Sequence, residues 1–370
     1  MRLFYRFSFL LLLIFAANSW ADPQGLQTLA VGSPAPDFKL PGVDDHVYSL
    51  EDFAKAKVLV VVFTCNHCPT AQAYEDRIIK LHNDYKDKGV ALVAISPNNP
   101  EAVRLDELGY SDLSDSLEEM KIRAKDKKFP FPYLYDGETQ KTIQAYGVQA
   151  TPHVFIFDKD RKLRYVGRID DAEVKPVKVH NARDAIESLL AGKPVAVEKT
   201  RVFGCSTKWA DKRDDARRAL SKWEKEPVSV ESLDEAGVTK LVKNDTKKLL
   251  LINVWATTCP TCLTELADFV TMNRMYRGRD FQCVTISLDD LDKKEEVFQA
   301  LRGRHVAATN YHLTVKDRDR FADLLDKDWP GALPHTMLVA PGGKVIYRKT
   351  GDIDALDVRR AIVKHLGRTY

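Results

Sequence analysis

Two stretches of the chain are apolar without alternation, Lys57–Phe63 and Leu249–Trp255. A β-branched and aliphatic run with no polar face predicts a strand covered on both sides, inside a parallel or mixed sheet. Helical spacing follows each run, through Ile78, Ile79 and Leu81 in the first case and Leu266, Phe269 and Met272 in the second. A further buried strand is predicted after each helix, at Val90–Ile95 and at Phe281–Leu288. A proline then opens a strand in each half, within Thr151–Phe157 and Leu333–Val339. Turns over Asp158–Arg161 and Pro341–Gly343 lead into returning strands. Gly167-Arg168-Ile169-Asp170 is echoed by Gly351-Asp352-Ile353-Asp354, and amphipathic helices close both halves near Ala182–Leu190 and Leu356–Leu366.

The same order of elements therefore occurs twice. It predicts an α/β chain of two units, each a central mixed β-sheet flanked by helices. The first unit is placed at residues 22–192 and the second at 228–370. Residues 193–227 between them, mixed in charge, are expected to form a linker with one helix around Asp214–Trp223. The first unit is the longer because Asn98–Lys128 inserts charged, helical sequence.

Composition narrows the function. With 370 residues, 44% hydrophobic and 29% charged, the chain is ordinary for a globular protein, and a net charge of +3 gives no ground for expecting nucleic-acid or membrane-surface binding. Residues 1–21 differ from the rest. Arg2 and Arg6 precede the apolar run Phe7–Ala17, and Ser19-Trp20-Ala21 resembles a small-x-small cleavage site. The apolar run is short for a membrane span, which needs about 20 residues. A cleaved signal peptide is expected, leaving a periplasmic or secreted protein without stable membrane insertion. No cysteine near the cut offers a lipid anchor.

Export bears on the six cysteines. Four form two Cys-x-x-Cys pairs, Cys65/Cys68 and Cys259/Cys262, and an oxidising compartment makes disulfide chemistry their default reading. Positions i and i+3 share a helix face, so two sulfurs there can bond. At a helix N-terminus, free N–H groups and the macrodipole stabilise a thiolate, and a lowered pKa makes it the attacking group. Cys65 and Cys259 are expected to attack, with Cys68 and Cys262 resolving the mixed disulfide. Between the first pair, His67 can hydrogen-bond or charge-stabilise the thiolate and raise oxidising power, or stand in solvent without a role. Between the second, Pro260 and Thr261 bring no charge. The first unit is therefore expected to be the more oxidising.

These stretches carry a family resemblance. Val254–Glu265 resembles the active-site stretch of TlpA-like thiol–disulfide oxidoreductases of the thioredoxin superfamily. Phe63–Pro69, with Tyr133-Leu134-Tyr135-Asp136 and Thr151-Pro152, resembles the redoxin, or AhpC/TSA-like, branch of that superfamily. The resemblance implies two thioredoxin-like domains, with cis peptides at Thr151-Pro152 and Leu333-Pro334 facing the cysteine pairs. Such loops would offer backbone groups for a substrate strand to pair with. It also implies an acid near the redox centre at Glu265, which would relay the resolving thiol's proton or simply favour the helix dipole. Trp255 is expected beneath the active-site loop. A stretch resembling Gly204–Trp209 follows some redoxin-like domains, so Cys205 is open to exchange with Cys65, linkage to a partner, or a structural role. Cys283, inside an apolar strand, is read as core.

Three classes of function remain. The first is an exported protein-disulfide oxidoreductase, exchanging with protein thiols and disulfides and with a membrane or periplasmic redox partner. The second is a thiol-dependent peroxidase. Peroxiredoxins carry Pro-x-x-x-Thr-x-x-Cys, which overlays Val61–Cys68 here with Val61 and Cys65 replacing the Pro and Thr. The third is a non-enzymatic redox-partner or scaffold protein. Zinc is disfavoured, because the pairs lie much farther apart than the roughly 15–20 residues of a Cys₄ motif. No CxxCH haem-attachment motif occurs, and no organic cofactor is implied because the dithiols carry the electrons.

Overall fold

The computed structural model describes residues 25–173 and 176–370. The expected signal peptide, residues 1–21, lies outside the described residues. The first half opens with a short hairpin, β1 (Lys39–Pro41) and β2 (Val47–Ser49). Its main sheet holds β3 (Val58–Phe63), β4 (Val90–Ser96) and β5 (Tyr133–Tyr135) in parallel. A short β6 (Ala150–Thr151) leads into β7 (His153–Phe157) and β8 (Leu163–Gly167), which run antiparallel and give the order β5-β4-β3-β7-β8. Helices α1 (Pro69–Tyr85), α2 (Leu117–Lys127), α3 (Lys141–Tyr146) and α4 (Asn181–Leu190) flank it.

Every residue of β3 is buried, as its lack of alternation requires. Val58, Val60 and Val62 pack toward Tyr74, Ile78 and Ile186 on one face. Leu59, Val61 and Phe63 pack toward Tyr146, Phe155 and Trp209 on the other. The central strand thus reaches its cysteine loop from between two apolar layers.

Trp209 comes from the stretch expected to be a linker. Its first half is laid against the first sheet: Lys199 bridges to Val166, and β9 (Cys205–Ser206) pairs antiparallel with β6. The helix expected around Asp214 is α5 (Arg213–Trp223).

The second half repeats the plan with one more strand in its main sheet. Its strands are β10 (Glu231–Leu233), β11 (Leu249–Trp255), β12 (Phe281–Ser287), β13 (Thr309–Leu313), β14 (His335–Val339) and β15 (Val345–Thr350). The order is β10-β13-β12-β11-β14-β15, with β14 alone antiparallel to the rest. Helices α6 (Glu235–Lys243), α7 (Pro260–Met275), α8 (Lys294–Arg302), α9 (Arg318–Leu325) and α10 (Ala355–Leu366) complete it. Cys283 lies in β12, 1% exposed, and burial alone pushes its thiol up to about 12, consistent with core. Among the described residues no helix is long and apolar enough to cross a membrane.

The insertion Asn98–Lys128 joins the halves. Val103 and Leu108 pack into the cluster built by Phe269, Met272 and Met275 of α7. The Tyr276 hydroxyl donates to the Ser111 carbonyl at 3.1 Å, and Arg279 donates to the Gly109 carbonyl at 2.7 Å. Arg368 grips Asp112 with two hydrogen bonds of 2.6 and 2.9 Å. Three acids of this insertion, Asp112, Glu119 and Asp126, pair with arginines of the second half.

Candidate active sites

In the second half, the chain leaves β11 at Trp255 and turns into α7, with Cys259 as the helix N-cap and Pro260 at the first helical position. Proline suits that position because its missing N–H would have no intrahelical partner. The Cys259 sulfur accepts from the Cys262 N–H at 3.2 Å. Cys259 and Cys262 are disulfide-bonded, their Cα atoms 5.3 Å apart. Cys259 is partly exposed, whereas Cys262 is fully buried. Trp255, also fully buried, packs with Cys262 and Leu266 beneath the loop. The Leu333-Pro334 peptide is cis. Leu333 joins the apolar cluster around Cys259, and among the described residues no strand pairs with residues 332–333.

Glu265 lies one turn beyond Cys262 on the same helix face and is 6% exposed. One carboxylate oxygen accepts from the Ile353 N–H at 2.7 Å, and the other has no partner. Burial pushes this carboxyl up to about 7, against the Ile353 hydrogen bond, which lowers it. The folded state thus holds a proton that the unfolded chain releases at an ordinary carboxylate pKa. Stability contributed by the neutral form is complete at low pH and is lost as pH rises through about 7. The full cost approaches about 3 kcal/mol. Glu265→Gln, which keeps the acceptor for Ile353, is expected to equal the parent near pH 4. Near pH 8 it should be more stable by about 1–3 kcal/mol in urea unfolding of the disulfide-bonded chain. Parallel pH profiles for the two proteins would exclude a titrating Glu265.

The first half differs in register. Helix α1 begins at Pro69, so its N-cap is Cys68, whose sulfur accepts from the Ala71 N–H at 3.4 Å. Cys65 lies outside the helix. The reason is Asp115, 0% exposed, from the insertion. Its Oδ1 accepts from the Asn66 and His67 N–H groups at 2.8 and 3.1 Å, holding them in a non-helical turn. Its Oδ2 lies 2.6 Å from His67 Nδ1 and accepts from Asn98 at 2.8 Å. His67 is 1% exposed, so the solvent-facing alternative does not hold. Burial opposes the imidazolium, but the Asp115 charge and hydrogen bond outweigh it and raise the His67 pKa. Asp115 stays ionised below the ordinary range because His67, Asn98 and the Asn66 amide overcome its own burial.

The surroundings of Cys65 and Cys68 differ from those of Cys259 and Cys262. Burial opposes both thiolates. At Cys68 it is overcome by hydrogen bonds from Cys205 and Cys65, the His67 charge and the Ala71 N–H, so its pKa falls well below the ordinary thiol value. At Cys65 burial prevails, reinforced by the Cys68 and Asp115 charges, and the pKa rises. The helix-start effect invoked for the leading cysteine acts on the second one here, because the helix starts three residues later. Cys65 Sγ lies 3.2 Å from Thr151 Oγ1 and Cys68 Sγ 3.4 Å from the Thr151 carbonyl, across the cis Thr151-Pro152 peptide. Cys65, Cys68 and Ala71 form a small cluster with Cys205 packed against it.

Cys65, His67 and Asp115 bring ligand-type atoms within 4.8 Å of one another. Both Asp115 oxygens, however, already accept two hydrogen bonds each, so the group works as a charge-orienting network. Asp115 and the proximity of Cys205 to Cys68 were not read from the sequence. Ser116 caps α2 through the Glu119 N–H, and in sequence Asp115 is hidden among those capping residues.

Comparison with known proteins adds the following. The AhpC/TSA family model matches residues 31–166 and the Redoxin model residues 227–362. The chain is 28% identical over 166 residues to a thiol-disulfide oxidoreductase ResA of Bacillus thuringiensis subsp. konkukian (strain 97-27), covering 44% of this chain and 85% of that protein. It is 32% identical over 127 residues to a thiol:disulfide interchange protein DsbE of Yersinia pestis, covering 34% and 61%. Among solved structures, an uncharacterized conserved protein from Geobacillus kaustophilus is 40% identical, covers 49% of this chain and 92% of its own, and has a TM-score of 0.44.

Proposed function

Because this chain belongs to the thioredoxin superfamily, an AhpC/TSA domain followed by a redoxin domain in a thiol–disulfide oxidoreductase, we propose that it is an exported enzyme acting on protein disulfides through two dithiol centres. The observation that carries this reading is the state of the second site. A partly exposed sulfur caps a helix, is bonded to a buried one, and lies beside an unpaired cis-proline edge. With the pair reduced, the Cys259 thiolate attacks a substrate disulfide and releases one substrate thiol. Cys262 then attacks Cys259, freeing the second thiol and closing the Cys259–Cys262 bond. Two electrons pass from the dithiol to the substrate, and Glu265 is suited to take the Cys262 proton.

Export is part of the proposal, supported by the leader-like residues 1–21. So are partners among exported protein thiols and disulfides, and a membrane or periplasmic redox protein to recharge the dithiols. The imidazolium beside Cys68 supports a more oxidising first centre, since stabilising the thiolate stabilises the reduced form. Thiol-dependent peroxidase is a second reading, favoured by one observation: Cys68 caps α1 at the position a peroxidatic cysteine takes in Pro-x-x-x-Thr-x-x-Cys. Against it, Val61 and Cys65 replace the Pro and Thr, and Cys68 is 0% exposed.

The test is insulin reduction by dithiothreitol with the full chain as catalyst. Acceleration of about tenfold or more over dithiothreitol alone is expected. No acceleration, together with hydrogen peroxide consumption driven by a thiol donor, would replace this reading with the peroxidase.

A further inference from the structure

The cis-proline edge that stands open in the second domain is occupied in the first. Strand β9 pairs with β6 in antiparallel register, placing Cys205 opposite Thr151, the residue whose hydroxyl and carbonyl meet Cys65 and Cys68. This is the position in which a substrate strand would lie. The approach is close enough to require glycine at Gly204. Its φ is +143°, and a Cβ there would stand 1.9 Å from the Thr151 carbonyl oxygen. The segment is pinned just downstream. Asn99 and Gln140 both donate to the Lys208 carbonyl at 2.9 Å, the Lys208 N–H donates to Asn98 at 2.8 Å, and Trp209 is sunk in the core. Cys205 is half-buried and packs against the cluster of Cys65, Cys68 and Ala71.

We propose that Cys205 is a third redox cysteine, held against Cys68 by β9 acting as a tethered internal substrate. The proposal deepens the reading of the first Cys-x-x-Cys as a redox centre and rests on it. The Cys68 thiolate attacks a disulfide R–S–S–R′, forming Cys68–S–S–R and releasing R′S⁻. The Cys205 thiol, its proton passing to the released thiolate, attacks the Cys68 sulfur, forms Cys68–Cys205 and expels RS⁻. Two electrons leave the Cys68/Cys205 dithiol and reduce the substrate disulfide. Cys65 then displaces Cys205 from the same sulfur, closing Cys65–Cys68 and restoring the Cys205 thiol, with no net transfer of electrons. Because Cys68 is buried beneath β9, the strand must lift before any disulfide, protein or small, reaches that sulfur.

The experiment uses the full chain carrying Cys65→Ser, reduced and then exposed to oxidised glutathione near pH 7. Free thiols are blocked with N-ethylmaleimide before proteolysis and mass spectrometry. The expected product is a Cys68–Cys205 bridge, in about tenfold or greater excess over Cys68–glutathione, because a short tether sets a high effective concentration. Cys65→Ala is run in parallel so that the outcome does not hang on one variant's folding. Adding Gly204→Ala, which drives the strand from Thr151, is expected to reverse the ratio in favour of glutathione. Cys68 recovered as the glutathione adduct with Cys205 blocked by maleimide in both Cys65 variants would overturn the proposal. So would a bridge indifferent to Gly204→Ala. The parental chain separates the two failures. A Cys65–Cys68 bridge there, with no Cys68–Cys205 bridge in the variants, overturns the role of Cys205 alone. Neither bridge overturns the redox reading of the first site as well.

Discussion

The full chain carrying Cys262→Ser accumulates a mixed disulfide with a protein substrate at Cys259, whereas Cys259→Ser accumulates none at Cys262. The expected rate difference is about three orders of magnitude or more, on the scale of losses that follow removal of a nucleophile. The asymmetry comes from the first turn of α7. Cys259 caps the helix, where the macrodipole and a Cys262 N–H at 3.2 Å favour a thiolate, and it is partly exposed. Cys262 is fully buried against Trp255 and Leu266, so with its partner replaced it has neither access nor an N-terminal amide of its own. The measurement is non-reducing electrophoresis with mass spectrometry of the trapped species. Equal trapping by both variants would place the attacking sulfur elsewhere.

Asp115→Ala is expected to cost about 3–5 kcal/mol in urea unfolding near pH 6, the range for removing one partner of a buried charged pair. His67 can shed its proton once alone, which lessens the loss. The Asn66 and His67 amides cannot, and an orphaned buried donor costs about 1–3 kcal/mol. The sign with pH follows from the two shifts. The His67 pKa is raised, so its contribution is whole below an unfolded imidazole's pKa and is lost as pH rises through the folded value. The Asp115 pKa is lowered, so its contribution is present above an ordinary carboxylate pKa and fades in acid. The difference between parent and variant should therefore narrow above neutrality. Asp115→Asn, which keeps an acceptor for the two amides, should lose less. The chemical signature is separate: iodoacetamide labelling of reduced Cys68 should shift to higher pH in both variants. A labelling profile that does not move would confine Asp115 to a structural role.

The repeated order of elements was legible because both halves bury their central strands completely. Val58–Phe63 and Leu249–Trp255 have no polar face to blur the pattern. Strand β13, reading Thr-Asn-Tyr-His-Leu, gave no such signal although Asn310 and His312 are each 2% exposed. Asn310 donates to the Val306 and Ala308 carbonyls and accepts from Thr285, and His312 Nε2 lies 2.9 Å from the Asp289 carbonyl. Polar groups satisfied in this way can be buried, and periodicity does not register them. The cysteine pairs were equally legible as pairs. The surroundings of the first pair were not, because they depend on where α1 begins. That start is set by a carboxylate 48 positions away in sequence from His67. The partner of the first cis-proline edge was hidden for a related reason: nothing local in Gly204-Cys205-Ser206 says which strand it will meet.

The insertion that carries Asp115 also carries Val103 and Leu108 into the core of the second domain, and Asp112 to Arg368. The two halves are thus not beads on a string. A cut in residues 193–227 would leave each fragment holding a torn apolar face, one on the insertion and one along α7. Heating or urea should meet the intact chain as one cooperative block across that seam, and fragments should aggregate or bind each other again. Redox potentials measured on severed halves would describe molecules whose thiol pocket has lost the backing against which Ser111–Asp115 is braced.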